Sequence, residues 1–288
     1  VSFFLSNSMP VAAGDQLQSS PARNGMAHDT VGTVVSNHHV NALYKHIVIT
    51  CPQTRIWGEP GQFYMLTCPP GPEDRPFFRR PMSLYANGRR PDTVEFLYKI
   101  TGAGTRALAT LKEGESIRLL GPLGHGFTLQ PDWKHLVVVG RGVGLATLAP
   151  LVKAARANNL GVTAILSSRE RHMSMSQHHF VDVGARLVEV NDDDGSSAPD
   201  NVMECIRAQI QAGQCDALFT CGSKRLLGII QHLAREYSLP GQVALEQQMA
   251  CGLGMCFSCV RVMCEGQKTI HRRVCWDGPV FDALEVQS

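Results

Sequence analysis

The 288-residue chain is short of charge, of charge imbalance and of long apolar runs. Only 18% of its residues are Asp, Glu, Lys or Arg, and 27 basic residues against 25 acidic ones leave a net charge of +2. That balance gives no electrostatic reason to expect nucleic acid or an anionic membrane surface as a partner. No apolar run approaches the ~18 residues of a membrane-spanning helix. Residues 1–28 hold only Asp15 and Arg23 as charged side chains, and Phe3-Phe4-Leu5 is too short for a secretory core. The expectation is a disordered tail followed by a cytoplasmic globular protein. At ~150 residues per domain the length suggests two domains with room for a small third module.

What is plentiful is cysteine, and it is unevenly distributed. Cys51, Cys68, Cys205, Cys215 and Cys221 are scattered, whereas Cys251, Cys256, Cys259, Cys264 and Cys275 fall within the last 38 of 288 residues. Clustered thiols in a chain of this length point to a metal centre rather than to a disulfide scaffold.

Two structural grammars precede that cluster. From Thr30 to about Gln130, short stretches rich in β-branched and aromatic residues are separated by turns such as Gly58-Glu59-Pro60-Gly61 and Asn87-Gly88. The pattern predicts strands near 30–36, 43–50, 62–67, 80–85, 93–99 and 116–121 and a short helix at 105–111, together an antiparallel β-barrel. After Pro131 come buried apolar runs at 136–139, 162–166, 187–190 and 217–220, alternating with helical patterns near 144–157, 202–211 and 224–237. Such alternation predicts an α/β domain on a parallel sheet. The expected divisions are 29–130 for the barrel, 131–240 for the α/β domain and 241–288 for a module too small to build its own core without a metal.

The cysteine spacing is Cys251-x4-Cys256-x2-Cys259-x15-Cys275. Four thiolates neutralise and hold two sulfide-bridged ferric ions, and the x4 segment must wrap around them. Gly252 and Gly254 supply the left-handed backbone and the close N–H approach that wrapping needs. This is the spacing class of plant-type [2Fe–2S] proteins. A four-cysteine zinc site is the alternative, although zinc ribbons favour two C-x2-C pairs. Cys264 competes with Cys275 as the fourth ligand, but the alternation of Val260–Cys264 reads as a strand that carries its thiol away.

Gly140-Arg141-Gly142-Val143-Gly144 follows the first parallel strand and opens a helix, where amides and the macrodipole favour a phosphate. Cys221-Gly222-Ser223 occupies the equivalent place after a later strand, and ligands of open parallel sheets bind beyond such strand ends. Arg169 and Arg171 follow the second parallel strand, where a 2′-phosphate would be sensed if the cofactor were NADP; a solvated loop is the stronger reading of the two, and Asp192-Asp193-Asp194 reads as a solvated turn. The pairs His38-His39 and His178-His179 read as surface loops, because adjacent side chains point apart. In the barrel, Arg80-Pro81-Met82-Ser83 combines a phosphate clamp with a short hydroxyl, and Gly102-Ala103-Gly104-Thr105 is a Gly-rich turn into a helix.

In their order along the chain, Pro60-Gly61-Gln62-Phe63, Arg80–Ser83, Gly102–Thr105, the segment from Gly121 to Phe127, the 140–144 loop and Cys221-Gly222-Ser223 resemble the ferredoxin–NADP reductase-like flavoproteins. Within them, the stretch from Leu245 to Cys259 and that from Val274 to Phe281 are similar to the electron-transfer subunits of type B dihydroorotate dehydrogenases. The resemblance implies FAD at Arg80, Pro81, Met82, Ser83, Leu97, Tyr98, Lys99, Gly104 and Thr105. It implies NAD(H) at Gly140, Gly142, Gly144, Cys221 and Gly222, and a [2Fe–2S] cluster on Cys251, Cys256, Cys259 and Cys275. Arg141 and Thr147 stand where that family usually has glycine and proline.

The activity so implied is an oxidoreductase electron relay with no separate acid–base residue. Its expected partner is a catalytic dihydroorotate dehydrogenase-type subunit carrying FMN, in a hetero-oligomer that forms orotate for pyrimidine biosynthesis. A reductase subunit serving another oxidoreductase is the nearest alternative, such as a hydrogenase or a pyrimidine-reducing enzyme. A non-catalytic redox or zinc-stabilised interaction module is the alternative from a different class.

Overall fold

The computed structural model describes residues 27–51, 56–71, 76–88, 90 and 92–287. The expected tail lies outside the described residues except for Ala27 and His28, and His28 already begins a strand.

The N-terminal half forms β1 (His28–His39), β2 (Tyr44–Thr50), β3 (Phe63–Leu66), β4 (Arg80–Ser83), β5 (Ala86–Asn87), β6 (Thr93–Lys99), α1 (Ala103–Ala109) and β7 (Ser116–Leu123). The strands make one antiparallel sheet in the order β4-β3-β7-β1-β2-β6-β5. It curls until β4 approaches β6 without a hydrogen-bonded closure, giving a half-open barrel. Alternate side chains fill its interior, with Val34, Ile47, Ile49, Leu66, Phe96 and Leu119 buried around Tyr64. The rings of Tyr64 and Phe96 meet edge to face at 5.3 Å, and the Tyr64 hydroxyl donates to the Ile56 carbonyl. Burial of a hydroxyl inside an apolar core is tolerated because that bond is made.

The second half forms β8 (His135–Arg141), α2 (Gly144–Ala157), β9 (Gly161–Ser168), α3 (Gln177–Val181), β10 (Arg186–Asn191), α4 (Pro199–Gln211), β11 (Ala217–Cys221), α5 (Lys224–Tyr237) and β12 (Gly241–Ala244). Then follow β13 (Val260–Glu265), β14 (Lys268–Arg273), α6 (Val274–Asp277) and β15 (Val280–Asp282). The order β10-β9-β8-β11-β12-β15 is parallel throughout except for β15, which returns antiparallel to β12. Gly241–Ala244 and Val280–Asp282, at the start and near the end of the expected C-terminal module, are thus strands of the α/β sheet. Between them β13 and β14 form a separate hairpin. No described helix is long and apolar enough to cross a membrane.

The three parts share their cores. Tyr44, Tyr85 and Leu97 of the barrel are buried with α2 and the parallel strands. Phe63, Met65 and Leu123 are buried with α5, Cys259, Cys275 and Phe281. Strand β3 therefore lies under both the α/β domain and the cysteine segment.

The expected surface loop at His178-His179 is in part an interface. The Tyr85 hydroxyl and the Ser176 hydroxyl are 2.9 Å apart, and the His179 ring lies 4.5 Å from the Tyr85 ring. Burial first, then the neighbouring His178, hold His179 down to about 4, against the weaker opposing pull of Glu95. His46 and Lys153 add to the lowering. A histidine buried neutral binds fewer protons folded than unfolded between pH 6.5 and 4. Its contribution is complete above pH 6.5 and is lost as the pH falls toward 4. Replacing His179 with Phe should flatten the fall in denaturation midpoint between pH 7 and pH 5, measured by urea unfolding.

Candidate functional site

A cavity of about 860 Å³ opens between the barrel, α2 and the segment after β12. Its walls include Arg80, Pro81, Met82, Ser83, Leu97, Tyr98, Lys99 and Thr105, eight of the nine residues expected to hold FAD. The ninth, Gly104, lies directly behind: a Cβ there would sit 2.3 Å from Arg80 Nε. The absent side chain is what lets the guanidinium lie across the turn. Tyr98 borders the cavity while its hydroxyl donates to Asn37 Oδ1 at 3.0 Å, in the barrel core. The Thr105 hydroxyl is occupied in shaping its own turn, accepting from Thr101 N at 2.9 Å and Gly102 N at 3.1 Å. The two cations and the Ser83 hydroxyl suit a phosphorylated ligand, and the volume suits a large one.

Residues not anticipated complete the walls: Phe63, Phe78, Thr101, Val143, Ala146, the run Leu245–Met249 and Pro279. Glu246 carries the only carboxylate among them, and burial in the cavity raises its pKa. It approaches Gly222, where a Cβ would be 3.2 Å from Glu246 Oε1.

The nucleotide-loop residues divide into two groups. Gly144 abuts the later turn, since a Cβ on it would meet the Cys221 carbonyl oxygen at 2.5 Å. Gly142 and Gly222 hold left-handed conformations, with φ of 57° and 87°. Gly144 and Gly222 are close neighbours where the turns after β8 and β11 meet. Gly140 is instead buried under Leu145 and Leu148 and serves the packing of α2. The Cys221 side chain is 1% exposed, and burial, reinforced by Glu246, pushes its thiol up to about 12. Thr147 contacts it from α2.

Arg141 turns away from the loop. Its guanidinium reaches Asp192 Oδ2 at 2.6 Å and Ser167 Oγ at 2.7 Å, tying β8 to the ends of β9 and β10. Asp192–Asp194 form the expected solvent-exposed turn, and its carboxylates also pair with cations: Asp192 with Arg141, and Asp194 with Arg171 at 3.2 Å.

The cysteine loop rests on the barrel. Gly252, with φ of 69°, sits so close to β3 that a Cβ would meet Met65 Cγ at 2.6 Å. Gly254, with φ of 77°, faces Trp276 in the same way at 2.8 Å. Backbone N–H groups point at the thiols: Leu253 N lies 3.3 Å from Cys251 Sγ, Gly254 N 3.2 Å from Cys275 Sγ, and Cys275 N 3.4 Å from Cys259 Sγ. Such donors stabilise thiolate charge. Cys251 and Cys256 are side-chain neighbours, as are Cys259 and Cys275. Ser258 helps hold exposed Cys256 down to about 6, whereas burial pushes Cys275 up to about 12. Among the described residues no three His, Cys, Asp or Glu side chains converge as a single ion requires. Two thiol pairs with inward amides fit a two-iron cluster better than one zinc. Cys264 lies elsewhere: its Sγ accepts from Gln287 Nε2 at 3.0 Å and lines a different cavity of about 710 Å³.

Comparison with known proteins gives this arrangement its relatives. Residues 246–287 match the family model described as the iron–sulfur cluster binding domain of dihydroorotate dehydrogenase B. The chain is 31% identical over 228 residues to the "Dihydroorotate dehydrogenase B (NAD(+)), electron transfer subunit" of Desulforamulus reducens, covering 79% of this chain and 86% of that protein. The protein of the same name from Geobacillus thermodenitrificans is 30% identical over 256 residues, covering 88% and 96%. Among solved structures, an NADH-dependent reduced ferredoxin–NADP oxidoreductase chain superposes with a TM-score of 0.75 at 24% identity, covering 92% of this chain and 91% of the other. A ferredoxin–NADP+ reductase from Neisseria gonorrhoeae superposes at 0.57 with 20% identity, over 72% and 90%. With a curled antiparallel sheet, a largely parallel α/β sheet and a C-terminal segment matching the iron–sulfur binding domain in one chain, the protein belongs to the family of dihydroorotate dehydrogenase B electron transfer subunits.

Proposed function

We propose that this chain relays electrons between NAD(H) and a catalytic partner subunit that carries FMN, within a hetero-oligomer that oxidises dihydroorotate to orotate. The observation that carries the reading is the shared cavity, whose walls come from the barrel, from the nucleotide loop and from the segment entering the cysteine constellation. Residues 29–130 act as the FAD portion, 131–240 as the NAD portion and 241–288 as the cluster portion. Together the bound groups supply hydride exchange with the nicotinamide and one-electron exchange at iron.

The chain's own residues bind and orient. Arg80 and Lys99 meet phosphate charge, while Ser83, Pro81 and Met82 border the flavin ring and Leu97, Tyr98, Gly104 and Thr105 shape the wall and turn behind it. Gly140, Gly142, Gly144, Cys221 and Gly222 would hold the dinucleotide at the turns that follow β8 and β11. Cys251, Cys256, Cys259 and Cys275 hold the cluster, and three amides offset its negative charge. Phe63 faces the cavity and Met65, two residues along the same strand, lies beneath the cluster loop. The cavity and the cysteine loop thus adjoin the same strand, β3. Met255 and Phe257, 78% and 61% exposed, flank exposed Cys256 and give the partner an apolar contact beside the cluster.

Anaerobically purified or reconstituted chain should contain about two irons and two acid-labile sulfides per FAD. Zinc without flavin would refute the reading. Dihydroorotate-dependent NAD+ reduction after mixing with a catalytic subunit distinguishes this role from service to another oxidoreductase.

A further inference from the structure

Arg273 ends β14 and precedes α6, the turn of helix that presents Cys275. Its side chain bridges both halves of the cysteine constellation. Nε and Nη2 reach the Asp277 carboxylate at 3.2 and 3.1 Å, and its own backbone N–H donates to Asp277 Oδ2 at 2.7 Å. Nη1 donates to the Gly254 carbonyl at 3.2 Å, inside the loop between Cys251 and Cys256. The guanidinium also lies 5.4 Å from the Phe257 ring centroid and 5.9 Å from that of Trp276. Phe257 holds a left-handed φ of 60°, unusual for a bulky residue, under this cation. The next residue, Val274, donates its N–H to the Cys259 carbonyl at 3.2 Å. The residue Arg273 pins, Gly254, is the one whose N–H points at Cys275 Sγ.

We propose that Arg273 is a positioning residue that raises the reduction potential of the cluster, by fixing Gly254 against α6 and by holding a positive charge beside Cys259 and Cys275. This rests on the cluster assignment made above. Each one-electron reduction adds one negative charge to the iron–thiolate unit, so a nearby cation favours the reduced form and a nearby carboxylate opposes it.

The test is a redox titration of the full chain followed by electron paramagnetic resonance, with iron content measured in parallel. Arg273→Gln should make reduction about tenfold less favourable, which for one electron is about 59 mV downward. Asp277→Asn should move the potential upward, because it leaves the guanidinium uncompensated. Arg273→Lys, keeping charge without the fork, should stay nearer to the unaltered chain than Arg273→Gln does. Were the ion pair merely structural, Arg273→Gln and Asp277→Asn would shift the potential in the same direction. If Arg273→Gln retains no iron, Asp277→Asn and Arg273→Lys together still decide. An unchanged or lowered potential in Asp277→Asn would overturn the inference. Unaltered chain that takes up no cluster would overturn the assignment beneath it.

Discussion

Replacing Cys275 with alanine should strip the chain of iron and sulfide, while replacing Cys264 should leave both in place. Cys275 is 1% exposed, neighbours Cys259 and receives the Gly254 N–H. With three thiolates the two irons lack a full tetrahedral set. Loss of a partner outside the ligand set already costs ~10–100-fold in metal affinity, and loss of a ligand should exceed that. Cys264 faces Gln287 and the chain's last residues instead. Flavin content should be unchanged in both variants, because neither side chain lines the larger cavity. Iron, sulfide and flavin assayed on the same samples check this. A Cys275→Ala chain with full iron beside a Cys264→Ala chain without it would reverse the assignment.

Replacing Arg80 with alanine should release the flavin without disturbing the cluster. Arg80 is the cavity's guanidinium, and the bare backbone of Gly104 gives it its path across the turn. A hydrogen bond to a charged group contributes ~1.5–3 kcal/mol. At ~1.4 kcal/mol per factor of ten, the FAD dissociation constant should rise about 10–150-fold. Gly104→Ala should act in the same direction and less strongly, because the guanidinium is the end of a flexible side chain. Flavin fluorescence on titration with FAD, alongside iron content, gives both values. Unchanged flavin affinity in Arg80→Ala would remove this residue from the site.

Much of this was legible in the sequence because the signals are local. Thr93–Lys99 and Lys224–Tyr237 carry clear periods, and their strand and helix have those bounds. Gly252 and Gly254 mark left-handed turns that the cysteine spacing itself requires. The remainder depends on distant partners. Val280–Asp282 is three residues between a Gly-Pro turn and the chain's end, and only β12 makes it a strand. Leu245–Met249 has neither helical nor strand alternation, so nothing local marks it as a cavity wall. Arg141 looks like a cation in a phosphate loop until Asp192, 51 residues on, claims it. Gly140 fits a glycine motif for one reason and is retained in the packing for another.

In the proposed relay, electrons that arrive singly through iron held by Cys251, Cys256, Cys259 and Cys275 leave in pairs to NAD+, and NADH drives the same path in reverse. Anaerobic titration of the full chain with NADH, followed by visible absorption and electron paramagnetic resonance, tests it most directly. Bleaching of the flavin bands together with the one-electron signal of a reduced [2Fe–2S] centre is the predicted result. Protein carrying both iron and flavin in which NADH neither bleaches those bands nor produces that signal would contradict it.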